Sequence, residues 1–120
     1  MNLFIYMPGQ DAKGGELLSA VAPFVSGGCL EVFPDLLDFA ARIRRPKDAL
    51  SIALIWNPAR QDLRELGAMR DFLGGVRTLL VLPDEDRETV ALAHKIFPAY
   101  ITYVDDGISE IVSVLKRLTK

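Results

Sequence analysis

Three stretches of this sequence carry residue types that could do chemistry, and each lies where a strand gives way to a helix. The first is Pro8-Gly9-Gln10-Asp11-Ala12-Lys13-Gly14-Gly15, a glycine-rich run of the kind whose backbone amides cradle phosphate. A Walker-type loop needs Lys and then Ser or Thr directly after its last glycine. Here Glu16 follows Gly15, and its charge at a helix start repels phosphate. A flavin-phosphate loop needs several hydroxyl side chains, and residues 8–15 hold none. A turn is the plainer role. The other two stretches, Asp84-Glu85-Asp86 and Asp105-Asp106, offer carboxylates to magnesium. Each also begins a helix, where acids cap amides and complement the dipole, and capping is the plainer role. His94, the sole histidine, sits mid-helix without a triad or metal partner near it in sequence, which points away from a catalytic base. The single cysteine, Cys29, excludes an internal disulfide and a multi-cysteine metal site. It reads as a small buried or edge hydrophobe. No catalytic residue, metal or cofactor is expected.

The elements that must position these residues alternate regularly. Strands are predicted at 2–7, 30–33, 50–56, 77–82 and 100–104, each followed by a helical pattern. The first helix spans 16–25 with Leu17, Leu18, Val21 and Val25 on one face, interrupted by Pro23 and closed by Gly27-Gly28. The second spans 35–44 and buries Leu36, Leu37, Phe39, Ala40 and Ile43 before Pro46. Asn57-Pro58 predicts the third start, with Asn as cap and Pro in the first turn. Its face is Leu63, Leu66, Met69 and Phe72 or Leu73, and Gly74-Gly75 ends it. The fourth runs over 86–97 to Pro98, and the fifth over 108–118 with a stripe of Ile108, Ile111, Val112, Leu115 and Leu118. Short connections impose right-handed crossovers and a parallel sheet. Strands one and three, apolar on both faces, belong in the middle, and the short alternating strand two belongs at an edge. The prediction is an α/β fold: a three-layer doubly wound (βα)5 sandwich with a flavodoxin-like strand order of 2-1-3-4-5.

A chain of 120 residues, half apolar and a quarter charged, is one folded domain. A net charge of −2 gives no reason to expect nucleic acid. The one basic cluster, Arg42, Arg44, Arg45 and Lys47, falls where a helix ends and complements its dipole. No basic leader precedes a long apolar run, and no apolar stretch approaches the roughly 20 residues of a membrane span. A cytoplasmic, membrane-free protein is expected.

Ligands in open α/β sheets bind at the carboxyl ends of the strands. Here those ends are Met7-Pro8, Phe33-Pro34, Trp56-Asn57-Pro58, Leu82-Pro83 and Val104-Asp105. Polar groups for a reaction are sparse among them. Trp56 stands out at a central strand's end. Either it roofs the core beside Pro8 and Pro83, or it is an aromatic anchor for a partner.

The final third, TLLVLPDEDRETVALAHKIFPAYITYVDDGISEIVSVLKRL, resembles the last two strand–helix units of response-regulator receiver domains. Length, five-fold alternation and strand order agree with that family along the whole chain. The family's acidic pair after strand one is replaced by Met7-Pro8, and its phosphoacceptor aspartate by Trp56, or Asn57 in another register. Its Thr or Ser at the end of strand four is replaced by Leu82-Pro83. Its Lys-Pro falls on Tyr103-Val104 or one residue later. Tyr100 matches the family's aromatic switch position. Aspartyl phosphorylation needs a nucleophilic carboxylate, a carboxylate-held metal and a cation. The resemblance therefore implies a pseudo-receiver: a protein-interaction module of bacterial signalling, neither an enzyme nor phosphorylation-dependent. By the same resemblance the face of helix four, strand five and helix five is a partner or homodimer surface, with Arg87, His94, Lys95, Tyr100 and Tyr103 as its candidates. A positive mean hydropathy fits an exposed apolar patch. Two alternatives stand beside it: a small flavodoxin-like enzyme or nucleotide- or flavin-binding protein using Gly9 to Gly15, and a receiver phosphorylated on a displaced acid such as Asp11 or Asp62.

Overall fold

Five strands, β1 (Asn2–Tyr6), β2 (Cys29–Phe33), β3 (Ser51–Trp56), β4 (Arg77–Leu82) and β5 (Tyr100–Tyr103), pair in parallel in the order β2-β1-β3-β4-β5. β1, β3 and β4 are buried along almost their whole length, while β2 and β5 are half-buried edges. That is the predicted flavodoxin-like three-layer sandwich. The structure, a computed structural model, describes residues 2–9, 11–25, 29–45, 51–73, 76–106 and 108–118, apart from the side chain of Phe72. The expected strand start Leu50, the helix stops Gly27-Gly28, Pro46 and Gly74-Gly75, and the cation Lys47 lie outside those residues.

The two-residue period of the strands divides the core. Phe4, Tyr6, Ala53, Ile55, Leu80 and Leu82 meet α2 (Leu36–Arg44), α3 (Arg60–Ala68) and α4 (Arg87–His94). Leu3, Ile5, Ile52, Leu54, Trp56, Leu79 and Val81 meet α1 (Ala12–Val21) and α5 (Ile108–Leu118). Each fully buried large apolar side chain stabilises by about 1.5–3 kcal/mol. On α5 the sheet-facing residues are Ile111, Val114 and Leu115, so Val114 takes the buried place expected of Val112. Leu37, expected in the α2 core face, is 76 % exposed.

Several boundaries differ from the predicted ones, each for a local reason. α1 begins at Ala12 rather than residue 16, because Asp11 sits in extended backbone and its carboxylate accepts from Gly14 N. Gly14 and Gly15 are therefore inside the helix. Residues 22–25, expected as its last turn, form a separate 3-10 turn around Pro23. Asn57 is not the cap of α3. It takes a left-handed φ of 52°, which Asn tolerates better than most residues, and its amide donates to Val81 O at 2.8 Å. Ala59 is the N-cap, and its amide donates to Asp62 Oδ2 at 3.1 Å. α4 ends at His94, and Phe97 turns the chain with a φ of 56° before Pro98. Met7 follows β1 rather than closing it, and Val104 leaves β5 in a 3-10 turn. No helix among the described residues is long and apolar enough to cross a membrane.

Candidate functional site at the sheet rim and its flanking faces

The carboxyl end of the sheet is closed by hydrocarbon and proline. Met7, Trp56 and Leu82 are buried there, Trp56 to 2 % exposure. Pro8, Pro34, Pro58 and Pro83 follow β1, β2, β3 and β4 within two residues. Rim amides are the groups that hold anions in this architecture, and proline has none. Four of the five connections thus carry one amide fewer at the rim, where a phosphate-binding sheet presents them. Trp56 packs with Met7, Leu17 and Ile111 in the α1–α5 layer, as the core-roof reading describes. Its indole Nε1 is buried without a hydrogen-bond partner among the described residues. At 2 % exposure it offers no surface to a partner.

The carboxylates near the rim are engaged in local structure. Asp11 caps α1, Asp35 Oδ1 accepts from Leu37 N at 2.8 Å, and Asp62 holds the first turn of α3. The Asp62 carboxylate also acts on the buried Tyr6 phenol, a group that sequence reasoning missed. Burial first, then the charge and hydrogen bond of Asp62 and the charges of Glu65 and Asp35, push that phenol well above its usual value. Both displaced phosphoacceptor candidates, Asp11 and Asp62, are therefore hydrogen-bonded to amides at helix starts.

The acidic run Asp84-Glu85-Asp86 does something other than direct capping. Asp86 is the N-cap of α4 but makes no side-chain cap bond. Asp84 Oδ1 instead accepts from Asp86 N at 3.0 Å. A hydrogen bond from Thr89 and that amide hold the Asp84 carboxyl below its ordinary range. Asp86 pairs with Arg60 at 2.8 Å. Glu88 pairs with Arg60 at 3.0 Å and with Arg64 at 2.7 Å, which ties α3 to α4. Exposed pairs of this kind contribute ~0.2–1 kcal/mol each. Asp105 pairs with Lys13 at 3.2 Å, joining the β5–α5 turn to α1. Among the described residues no group of three or more His, Cys, Asp or Glu side chains is arranged to hold a metal ion.

The five residues expected on one partner surface divide between two faces. Arg87, His94 and Lys95 are exposed on α4 and its C-cap. Tyr103 packs against the same α2–α3–α4 layer. Tyr100, three positions earlier in an extended strand, points to the other side and packs with the α5 layer. Its hydroxyl donates to Glu110 at 3.2 Å, and Thr102 Oγ1 donates to the same carboxylate at 2.5 Å. Burial, together with the Glu110 charge and hydrogen bond, raises the Tyr100 phenol.

At the β2 edge Cys29 is half-buried, and its thiol donates to Glu31 Oε2 at 3.2 Å. Arg42 Nε donates to that same oxygen at 2.8 Å, and its guanidinium lies 4.4 Å over the Phe4 ring. The hydrogen bond to Glu31, then burial and the Glu31 charge, raise the thiol above its ordinary value, against the opposing pull of Arg42. Burial alone would raise Glu31. Bonds from Arg42 and Cys29 with the charges of Arg42 and Arg45 outweigh it and hold the carboxyl low. The raised pKa leaves less thiolate at neutral pH, and thiolate is the nucleophile. Glu31→Gln is therefore expected to speed alkylation of Cys29 by iodoacetamide several-fold at pH 7. Equal rates in the two proteins would remove Glu31 as the cause. No family model, no curated protein and no solved structure matches the chain.

Proposed function

We propose that this chain is a phosphorylation-independent interaction module of signal transduction or regulation, a receiver-like sandwich that works through contact and not through turnover. The closed rim is the observation that carries the reading. Where aspartyl phosphorylation needs a nucleophile, metal-holding acids and a hydroxyl, this chain has Trp56, Met7-Pro8 and Leu82-Pro83. The acids that remain nearby serve helix termini and ion pairs. The exposed cations of α4 beside half-buried Tyr103 are the candidate partner surface, and the β5 edge beside them is a place where two copies could meet.

Incubation with a small acyl phosphate donor and magnesium, followed by intact mass measurement, tests the phosphorylation-independent part. The expected spectrum is unchanged from the untreated protein. A stable phosphoryl adduct mapped to Asp11 or Asp62 would overturn the reading. The cofactor alternative draws less support from the loop after β1. Gly14 and Gly15 lie within α1, and Gly14 N is already bonded to Asp11, so that amide is spent before any phosphate arrives.

A further inference from the structure

We infer that the groove between α3 and α4 is a docking site for an acidic segment of a partner protein that also carries an apolar side chain. The inference rests on the reading of the chain as an interaction module, and it names the chemistry of the partner. At their upper ends the two helices are held together by the ion pairs of Arg60 and Arg64 with Asp86 and Glu88. Further down they part. Gly67 faces the gap, and among the described residues a Cβ there would meet only Lys95 Cβ, at 3.9 Å. The opening is a hollow of about 200 Å³ floored by Leu63 and Leu92. It adjoins a second hollow of about 380 Å³ beneath the start of β4, and Arg70 lines both.

Phe97 stands at the mouth of the larger hollow, 75 % exposed. Its position after the end of α4 is one that glycine usually fills, because the backbone is left-handed there. A phenyl ring at that place is held out toward solvent, and the Arg70 guanidinium lies 5.5 Å from its centroid. Aromatic and arginine side chains together are the usual anchors of protein interfaces.

Charge selects the occupant. The chain as a whole carries −2, yet Arg70 and Lys95 flank this groove and neither forms an ion pair among the described residues. Arg64 is already met by Glu88. Asp71 is the one carboxylate among the described lining residues, so the groove retains a positive surplus. Two unpaired cations are too few for a phosphate backbone, which needs a track of them. They suit a short peptide whose carboxylates meet Arg70 and Lys95 while an apolar side chain enters beside Phe97.

The test uses the whole chain and a fluorescein-labelled pool of short synthetic peptides built from Asp, Glu, Leu and Phe, read by fluorescence anisotropy. Two further pools replace the acids by Lys or the apolar residues by Ser. The acidic–apolar pool is expected to bind best, and more weakly as salt rises. The double variant Arg70→Glu with Lys95→Glu is expected to bind it about tenfold less and to prefer the Lys pool. Gly67→Gln, which fills the groove without changing charge, is expected to weaken binding comparably. Arg117→Glu, a cation-to-acid change on α5 outside the groove, leaves it unaltered. Thermal melts of each variant establish that it is folded. Undetectable binding of the acidic–apolar pool, equal binding of the three pools, or insensitivity to both groove variants would overturn the inference. Those outcomes leave the interaction reading itself standing, because that reading falls on the phosphoryl adduct and not on this groove.

Discussion

Replacing Trp56 by Ala is expected to lower the unfolding free energy by about 3–5 kcal/mol, the range for emptying a large buried aromatic site. Domains of this size have about 5–15 kcal/mol in total, so the loss is a large share of the fold. Trp56 is 2 % exposed, and its core neighbours Met7, Leu17, Val81 and Ile111 come from a loop, α1, the adjacent strand and α5. Such a site collapses poorly, because four segments would have to move together. Trp56→Phe separates packing from polarity. It gives up part of the volume but also removes the buried indole N–H that has no partner among the described residues, a group whose desolvation costs about 1–3 kcal/mol. The Phe variant is therefore expected to lie far closer to wild type than the Ala variant. Urea unfolding followed by far-ultraviolet circular dichroism measures both, since Trp56 is the only tryptophan and its fluorescence is lost. Equal losses for Ala and Phe would mean that the indole N–H is satisfied and that the ring contributes through something other than volume.

The same residue marks the boundary of what a sequence can reveal. β1, β3 and β4 are legible because each is apolar at consecutive positions, which a doubly covered strand requires. Their centrality then dictates the strand order. The emptiness of the rim is legible too, since Pro8, Pro34, Pro58 and Pro83 are visible without coordinates. What escapes are the features set by contacts between elements. The receiver resemblance groups Tyr100 with Tyr103, whereas their three-residue spacing in the paired strand sends them to opposite layers. Asn57 has the composition of a cap, yet its amide is drawn into the ladder by Val81 and the helix starts three residues later. Phe97 reads as the last turn of a helix, and only the backbone geometry exposes its ring. Tyr6 reads as one more strand residue, and the pull of Asp62 and Glu65 on its phenol depends on how α3 lands on the sheet.

Gly14 and Gly15 are adjacent, chemically identical and expected to respond to alanine in opposite directions. A Cβ on Gly15 meets nothing within 4 Å among the described residues, so Gly15→Ala gains helix propensity alone, about 0.5–1 kcal/mol. A Cβ on Gly14 would lie 2.9 Å from Asp11 Oδ1, 3.0 Å from Met7 Sδ and 3.3 Å from Met7 Cε. The first contact disturbs the cap of α1, worth about 1 kcal/mol. The others press on a buried thioether, where overpacking costs about 1–3 kcal/mol. The propensity gain offsets only part of this, and Gly14→Ala is expected to destabilise by about 1–3 kcal/mol. Chemical denaturation of the two variants beside wild type reads the signs. Were α1 to begin at Glu16, as the glycine run first suggests, both substitutions would fall in a loop and move stability together. Opposite signs place the helix start at Ala12 and give Gly14 a structural reason: it leaves room for Met7 and for the carboxylate of Asp11. A glycine that looks like the cradle of a phosphate is then the seat of a methionine, and the loop after β1 is closed by packing rather than waiting for an anion.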